Sequence, residues 1–153
     1  MHELESIIQH AEAHCKARGT RFTDKRKLVL IELVLAKRAL SAYELSDLCA
    51  ERCSETIPTM SIYRILEFLE GEHLVHRLKL ANKFVACTHI HCSSDHGIPQ
   101  FLICEQCSKV KEIHIKPASI NELMAIAQSS GFKLVTPQLE MNCLCENCIS
   151  HSA

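Results

Sequence analysis

The first half of the chain places apolar side chains at helical spacing in four consecutive segments. Residues 4–17 predict a first helix, and a second helix begins after Thr23 and runs to about Lys37. The run SAYE at 41–44 is typical of a capping box, with the N-cap serine three residues before a glutamate, and it opens a third helix. Residues 59–71 predict a fourth helix with an apolar stripe along one side.

The hydrophobic period changes after Gly71. The runs HLVHRLKL and KFVACT are typical of two short strands, with a hairpin turn at Ala81 and Asn82. Helices followed by such a hairpin predict a winged helix-turn-helix, in which the fourth helix is the recognition helix.

The second half predicts a small α+β unit. Its expected elements, in order, are a strand at 101–103, a CxxC turn, a strand at 109–115, a helix at about 117–130, a strand at 132–140 and a final CxxC turn. The fold class is therefore α+β, with an N-terminal winged helix-turn-helix and a small C-terminal α/β domain. We expect the first domain at residues 1–84, a hinge at 85–92 and the second domain at 93–153.

Composition limits the setting in which the protein works. The 153 residues are 47% hydrophobic and contain no tryptophan, so an aliphatic core is expected. The N-terminus has no basic region followed by an apolar run, and no segment approaches membrane-spanning length, so we expect a cytoplasmic protein without a membrane partner. In a reducing compartment, 10 cysteines favour metal ligation over a disulfide framework.

Two CxxC pairs in the second half predict a four-cysteine zinc site. Cys104 and Cys107 form the first pair, and Cys145 and Cys148 form the second. The long separation is compatible with one ion if a helix and a strand fill the loop between the pairs. The alternatives are incidental buried thiols or a redox motif, and the latter needs a strand-to-helix context that the pattern does not predict. Cys143 lacks the CxxC spacing and is interpreted as a packed or spare thiol.

A second, looser group of metal-ligating side chains surrounds the expected domain boundary. Its spacing matches no single signature. The alternatives are that His76 is an ordinary surface residue of the hairpin and that His89, His91 and Cys92 form a solvated polar loop. A site that joined ligands from the wing to ligands from the second domain would tie the two domains together. The members of the group are His76, Cys87, His89, His91, Cys92, His96 and Glu112.

The charge distribution gives only local support for nucleic-acid binding. The net charge is −1, and residues 1–85 hold 13 basic and 12 acidic side chains. Arg21, Lys25 and Arg26 cluster at the start of the second helix, and Tyr63 and Arg64 lie on the polar side of the fourth. Such side chains suit guanine and phosphate contacts. The alternative is an ordinary solvated helix face, and the hairpin that follows favours DNA binding.

In order along the chain, RFTDKRKLVL, SAYEL, TMSIYRILEFLEGEHLVHR, FLICEQCSKVKE and CENC resemble the ferric uptake regulator superfamily of metal-dependent bacterial repressors. The resemblance covers nearly the whole chain and is strongest to the zinc uptake regulator branch. It implies an N-terminal winged helix, a C-terminal dimerisation domain and about two zinc ions per chain, one structural and one regulatory.

The resemblance also implies roles for individual residues. The structural zinc ligands would be Cys104, Cys107, Cys145 and Cys148, and the regulatory ligands would be His76, Cys87, His96 and Glu112. Tyr63, Arg64 and Arg26 match DNA-contacting positions of the family, and Ser61 lies at a neighbouring position of the same motif. The basic cluster adds Lys25 and Arg21 to the expected DNA-contacting set. Three departures from the family pattern bear on these roles. Asp24 stands where proline is usual, Ser61 stands where threonine is usual, and the segment from Cys87 to Cys104 is about two residues longer. His89, His91 or Cys92 are therefore alternative regulatory ligands.

The implied function is repression of zinc-uptake genes by a homodimer bound to palindromic double-stranded operator DNA. Zinc and DNA binding would be reciprocally coupled, and zinc ligation would weaken at low pH because thiols and imidazoles must lose protons. We expect no enzymatic activity and no small-molecule substrate. An enzyme of the zinc hydrolase or deaminase type would need an HExxH or HxE…PCxxC pattern, which the sequence lacks.

Two other interpretations remain open at this stage. The first is an iron-, manganese- or peroxide-responsive regulator of the same superfamily, against which the thiolate of Cys87 argues because soft sulfur ligands favour zinc over manganese. The second is a structural zinc protein that mediates interactions, which would show no metal-dependent DNA binding.

Overall fold

The structure is a computed structural model, which describes residues 2–88, 90, 99–135 and 138–151. The chain divides into two compact units, Met1–Ser94 and Asp95–Ala153. The elements of the N-terminal unit are α1 (His2–Ala17), α2 (Asp24–Ala36), α3 (Ala42–Cys53), α4 (Thr59–Gly71), β1 (Val75–Leu78) and β2 (Lys83–Ala86). The elements of the C-terminal unit are β3 (Gln100–Cys104), β4 (Val110–Ile113), α5 (Pro117–Ser129), β5 (Glu140–Cys143) and α6 (Glu146–His151).

Side-chain caps fix the first residues of α2 and α3. The Thr23 hydroxyl accepts a hydrogen bond from the Arg26 N–H at 3.4 Å. The Ser41 hydroxyl accepts from the Glu44 N–H at 3.1 Å, and the Glu44 carboxylate accepts from the Ser41 N–H at 2.7 Å. These bonds satisfy N–H groups that have no partner inside the helix. The predicted N-cap and capping box are both confirmed.

The wing follows α4 as an antiparallel hairpin of β1 and β2. Its register runs from Val75 opposite Ala86 to Leu78 opposite Lys83. Asn82 in the turn has φ of 48°, a left-handed conformation that asparagine tolerates better than most residues. Leu40 and Phe84 exchange two backbone hydrogen bonds, so the segment before α3 also pairs with the wing. The predicted winged helix-turn-helix is confirmed.

One apolar core joins the elements of the N-terminal unit. Its fully buried members include Leu30 of α2, Leu45 of α3 and Leu66 of α4, and Phe84 of the wing packs into the same cluster. The apolar stripes that predicted these helices are therefore the faces that they bury against each other.

A buried ion pair holds the end of α4 against α1. Glu72 follows α4 directly, and its side chain is only 7% exposed. One carboxylate oxygen lies 2.9 Å from Nε of Arg18 and 3.5 Å from Nε2 of His14. A carboxylate this deeply buried is costly without a cationic neighbour, and Arg18, directly after α1, supplies that neighbour.

The C-terminal unit is a three-stranded sheet with the order β4-β3-β5. β3 pairs with β4 antiparallel and with β5 parallel, and the described part of the chain between β4 and β5 includes α5. Phe101 and Ile103 on β3 and Ile120 on α5 supply the buried apolar side chains of this sheet and helix. The mixed fold class, with helix and sheet in both halves, agrees with the sequence prediction.

The prediction of a strand at residues 132–140 is wrong. The strand β5 begins only at Glu140, and the described residues 132–135 form no strand. Phe132 and Val135 suggested a strand because they are aromatic and β-branched, but they are 73% and 88% exposed. The position of β5 is set instead by its pairing with β3, a long-range contact that local propensity does not encode. The short helix α6 was also not predicted.

Within the described residues, no helix combines the length and the apolar character needed to cross a membrane.

Candidate metal centre and nucleic-acid interface

The four-cysteine cluster is built from two strand ends that lie side by side. Cys104 is the last residue of β3, and a tight loop returns the chain to β4, closed by hydrogen bonds from Cys104 N–H to Lys109 O and from Ser108 N–H to Cys104 O. On the neighbouring strand, Cys143 lies opposite Cys104 in parallel register. Two residues further on, Cys145 therefore reaches the first CxxC turn.

The ligand atoms of the four cysteines converge on one position. The sulfur atoms of Cys104, Cys107, Cys145 and Cys148 all lie within 4.8 Å of one another. Cys107 Sγ and Cys145 Sγ are 3.7 Å apart. A tetrahedral zinc ion with Zn–S bonds of about 2.3 Å separates its sulfur ligands by about 3.8 Å, so the spacing and the donor set both fit zinc. These four residues were predicted as one site, and the structure brings them together.

Backbone amides around the cluster favour thiolate over thiol. The Cys145 N–H points at Cys104 Sγ at 3.4 Å, and this bond together with the N–H of Cys107 lowers the pKa of Cys104 to about 6. The pKa of Cys145 is lowered chiefly by the N–H of Cys148. The pKa of Cys148 is raised to about 12, because its thiol hydrogen-bonds to Cys145 and faces the other sulfurs. Thiolates crowded together retain a proton until a cation replaces it, which is the chemistry of a metal site.

Cys143 does not belong to this cluster. Its thiol lies 3.5 Å from the carbonyl oxygen of Met141 and is half-buried. The group of mutually close ligand atoms consists of Cys104, Cys107, Cys145 and Cys148 and does not include Cys143. The interpretation of Cys143 as a spare thiol agrees with this geometry.

Two residues of the second predicted group meet in the N-terminal unit. His76 lies on β1, and Cys87 follows β2 directly, where its N–H donates to the Leu74 carbonyl at 2.9 Å. The hairpin pairing brings the two side chains together, so that their ligand atoms lie within 4.8 Å of each other. Cys87 is 9% exposed. A buried thiol beside an imidazole can supply two ligands of a mixed sulfur and nitrogen metal site.

Glu112 belongs to the C-terminal unit. It lies on β4 opposite Phe101 and is half-buried. The remaining members of the predicted group, His89, His91, Cys92 and His96, lie outside the described residues.

The predicted base-reading side chains lie in the first two turns of α4. Arg64 is exposed, and Ser61 is half-buried near the start of the helix. Tyr63 is half-buried and packs against the apolar core, so its ring is partly used to hold the helix in place. Arg64 is therefore the residue of this set that projects most freely from α4.

The basic cluster at the start of α2 is more engaged within the protein than the sequence indicated. Lys25 Nζ lies 3.9 Å from a carboxylate oxygen of Glu55. The Arg26 guanidinium stacks on the Phe68 ring of α4, 3.5 Å from its centroid, and also donates to the Arg21 carbonyl. Arg26 thus contacts the recognition helix itself, a role that sequence spacing could not show because Phe68 is 42 positions away. Arg21 and Lys25 remain exposed.

One exposed residue of α4 received no role from the sequence. Met60, in the first turn, is 68% exposed, whereas the other apolar residues of TMSIYRILEFLEG are buried or half-buried. The sequence did contain a signal for a surface role of Met60, because this residue lies one helical turn before Arg64 and outside the apolar stripe.

Comparisons with known proteins point to one family throughout. The chain is 32% identical over 150 residues to the zinc uptake regulation protein of Escherichia coli (strain K12), an alignment that covers 97% of this chain and 85% of that protein. Among solved structures, a zinc uptake regulator complexed with zinc and DNA matches with a TM-score of 0.83 at 28% identity, over 97% of both chains. The holo form of XcZur matches with a TM-score of 0.76 at 34% identity, over 95% of this chain and 98% of that one. The sequence model of the ferric uptake regulator family matches residues 17–142, and the chain belongs to this family.

Proposed function

We propose that this protein is a zinc-responsive transcriptional repressor, which binds palindromic operator DNA as a homodimer and represses zinc-uptake genes when a regulatory zinc is bound. The observation that carries the proposal is the pair of ligand atoms from His76 and Cys87 on the wing of a winged helix-turn-helix. A metal bound there is linked through β1 and β2 to the unit that carries α4. The relatives described as zinc uptake regulators, one of them solved with zinc and DNA, support the same conclusion.

The four-cysteine cluster is proposed to hold a structural zinc. Protein sulfur atoms would fill all four coordination positions of a zinc ion there, so no position is left for a substrate. This arrangement favours a regulator over a zinc enzyme.

The regulatory zinc is proposed to be held by His76, Cys87, His96 and Glu112, with His89, His91 or Cys92 as alternatives to His96. The thiol of Cys87 favours zinc, because manganese prefers oxygen and nitrogen ligands. By linkage, zinc and DNA raise each other's affinity to the same extent.

On the DNA-binding side, we propose that Arg64, Tyr63 and Ser61 contact base edges and that Arg21 and Lys25 contact phosphates. Arg26 is proposed to act by holding α4, because its guanidinium stacks on Phe68. This assignment separates the residues that recognise the base sequence from the residues that position the recognition helix. A repressor of this kind works in the cytoplasm.

Homodimer formation is supported by the surface of the C-terminal unit. Several large apolar side chains are exposed there, and exposed apolar surface marks an interaction site where it is contiguous. They are Leu123, Met124, Ile126, Phe132, Val135 and Ile149. A second copy of the chain would cover such side chains, and a two-fold dimer requires a two-fold operator.

The test is a zinc titration of DNA binding. Duplexes are first selected from a random pool by the zinc-loaded protein, and binding to the selected duplex is then measured at buffered free zinc for wild type, Cys87→Ser and Cys53→Ser. The exposed Cys53 is the matched control, because it is a thiol of the same unit that lies on α3 and not on the wing.

We expect wild type and Cys53→Ser to bind DNA only above a threshold of free zinc. Cys87→Ser should need at least about 10-fold more free zinc, because even the loss of a residue that only supports a metal ligand typically costs that much affinity. All three proteins should retain one tightly held zinc per chain. DNA binding that follows iron(II) or manganese(II) instead would assign the sensor to another metal. If no metal produces DNA binding, the repressor proposal fails, and the remaining interpretation is a structural zinc protein that mediates interactions.

A further inference from the structure

The first turn of the recognition helix carries an apolar side chain that is mostly exposed to water in the free protein. Met60 is 68% exposed, and the residues that share its side of α4, Arg64 and Glu67, are exposed and charged. The core-facing positions Ile62, Ile65 and Leu66 are buried. Met60 therefore contributes nothing to the core of the N-terminal unit.

In a helix-turn-helix protein, the N-terminal residues of the recognition helix contact base edges in the major groove. Met60 occupies that place on α4, which begins at Thr59. Among the groups that distinguish the base pairs in the major groove, the C5-methyl of thymine is the one methyl group, and the others are hydrogen-bond donors or acceptors. The flexible thioether of methionine adapts well to a small apolar surface.

We propose that Met60 is a specificity-determining residue that recognises the C5-methyl group of one thymine in each half of the operator. This inference rests on the proposed function and extends it to a base that α4 recognises through an apolar contact and not through a hydrogen bond. Arg64 lies one turn further along the same side of the helix, and it is the side chain suited to guanine.

The helix geometry also fixes where this thymine lies. Residues four positions apart on a helix have Cβ atoms about 5–6 Å apart. Successive bases of one DNA strand are about 3.4 Å apart along the axis. The thymine read by Met60 is therefore one or two base pairs from the guanine read by Arg64.

The experiment replaces each thymine of the selected operator, one at a time and in one half-site, by deoxyuridine, which removes only the methyl group. The zinc-loaded full-length dimer is used in every case. Guanines are replaced in parallel by 7-deazaguanine, which removes the N7 acceptor, with Arg64→Ala identifying the guanine that Arg64 contacts. The variants are Met60→Ala, which shortens the side chain, Met60→Gln, which keeps its length but makes it polar, and Met60→Leu, which keeps it apolar.

Wild type should lose about four-fold in affinity at one thymine, the effect of one buried methyl group of about 0.8 kcal/mol. Met60→Leu should keep most of this preference, and Met60→Ala and Met60→Gln should bind the thymine and deoxyuridine duplexes equally. The sensitive thymine should lie one or two base pairs from the guanine of Arg64. Because Met60 is exposed, all three variants should melt at the wild-type temperature.

Two results would overturn the inference while the proposed function stands. The first is a wild-type protein that binds DNA with zinc but responds to no thymine replacement. The second is a Met60→Ala variant that loses as much affinity with deoxyuridine as wild type does. A wild-type protein that shows no zinc-dependent DNA binding would overturn the proposed function and this inference together.

Discussion

The N-terminal and C-terminal units bury apolar side chains to very different extents. In the N-terminal unit, one cluster runs through all four helices and the wing, from Ile7 to Cys87 and Ile90. In the described part of the C-terminal unit, the buried apolar side chains are those of Phe101, Ile103, Cys104 and Ile120. The first unit therefore has the core of an ordinary globular domain, and the second does not.

The C-terminal unit exposes many of its large apolar side chains and brings four cysteine sulfur atoms together. Phe132 and Val135 are exposed, and only Ile120 of α5 is buried. A domain of about 60 residues is marginally stable even with a good core. Metal ligation and a partner subunit must then supply the stability that the N-terminal unit obtains from hydrophobic burial.

Removing the zinc of the four-cysteine cluster should produce the largest difference between the units. Structural zinc contributes an apparent 10–16 kcal/mol, roughly, in small zinc peptides, more than the whole stability of most domains. We expect chelation, or Cys107→Ser, to expose the amides of β3, β4 and β5 to hydrogen exchange while those of α2, α3 and α4 stay protected. Mass spectrometry of exchanged peptides measures both units in one sample.

Cys143→Ser is the matched control for this experiment, because Cys143 lies on β5 beside the cluster without belonging to it. It should keep full protection and one tightly held zinc. Simultaneous loss of protection in both units after chelation would show that they share one source of stability.

A cavity in the N-terminal core should produce the opposite result. Leu66 on α4 is fully buried, and Leu66→Ala removes transfer energy and leaves a cavity, at a cost of about 2–5 kcal/mol. We expect the melting temperature of the N-terminal unit to fall while the zinc content and the exchange protection of β3–β5 are unchanged. Leu80→Ala, at a position that is 63% exposed, should leave both units as they are.

The same contrast explains which elements the sequence could predict. The helices of the N-terminal unit have apolar stripes and local caps, so Thr23, Ser41 and Glu44 predicted their starts correctly. The four-cysteine cluster was predictable because zinc ligation by CxxC pairs leaves a spacing signature. Both signals are contained in short stretches of chain.

Long-range contacts left no such signal. The strand β5 was placed too early because Phe132 and Val135 have strand propensity, whereas its true position depends on parallel pairing with β3. The contact of Arg26 with Phe68 was missed for the same reason, because it joins α2 to α4 across the fold. The metal ligand pair of His76 and Cys87 is an intermediate case. The hairpin that joins the two residues was predicted, but its register was not.

Acid should weaken the N-terminal unit through Glu44. Burial opposes its ionisation, but hydrogen bonds from Ser41 and Arg38 and the charge of Lys83 outweigh that effect and lower its pKa to about 2. A carboxyl whose pKa is lowered on folding stabilises the protein above its ordinary pKa near 4.5, and that contribution is lost as pH falls toward 2.

Glu44→Gln should therefore reduce the free energy of unfolding by about 1 kcal/mol at pH 7, and the difference from wild type should shrink below pH 4.5. Urea unfolding followed through the amide signals of α3 reports on this unit alone, even where acid releases zinc from the other. Glu51→Gln, an exposed position on the same helix, is the control and should change little at either pH. A Glu44→Gln difference that is constant from pH 7 to pH 3 would show that the charge of Glu44 is not what stabilises the helix start.

The smallest expected effect concerns Arg26 and separates stability from DNA contact. Its guanidinium lies over the Phe68 ring, so Arg26→Gln should reduce the free energy of unfolding by about 0.5–1 kcal/mol. Because the guanidinium is already engaged inside the protein, the salt dependence of DNA binding should be unchanged. The exposed Lys25 is the comparison, and Lys25→Gln should leave stability unchanged but lower the salt slope by about one per chain. A lower salt dependence of DNA binding in Arg26→Gln would instead show that this side chain contacts a phosphate. The assignment of Arg26 to holding α4 would then be wrong.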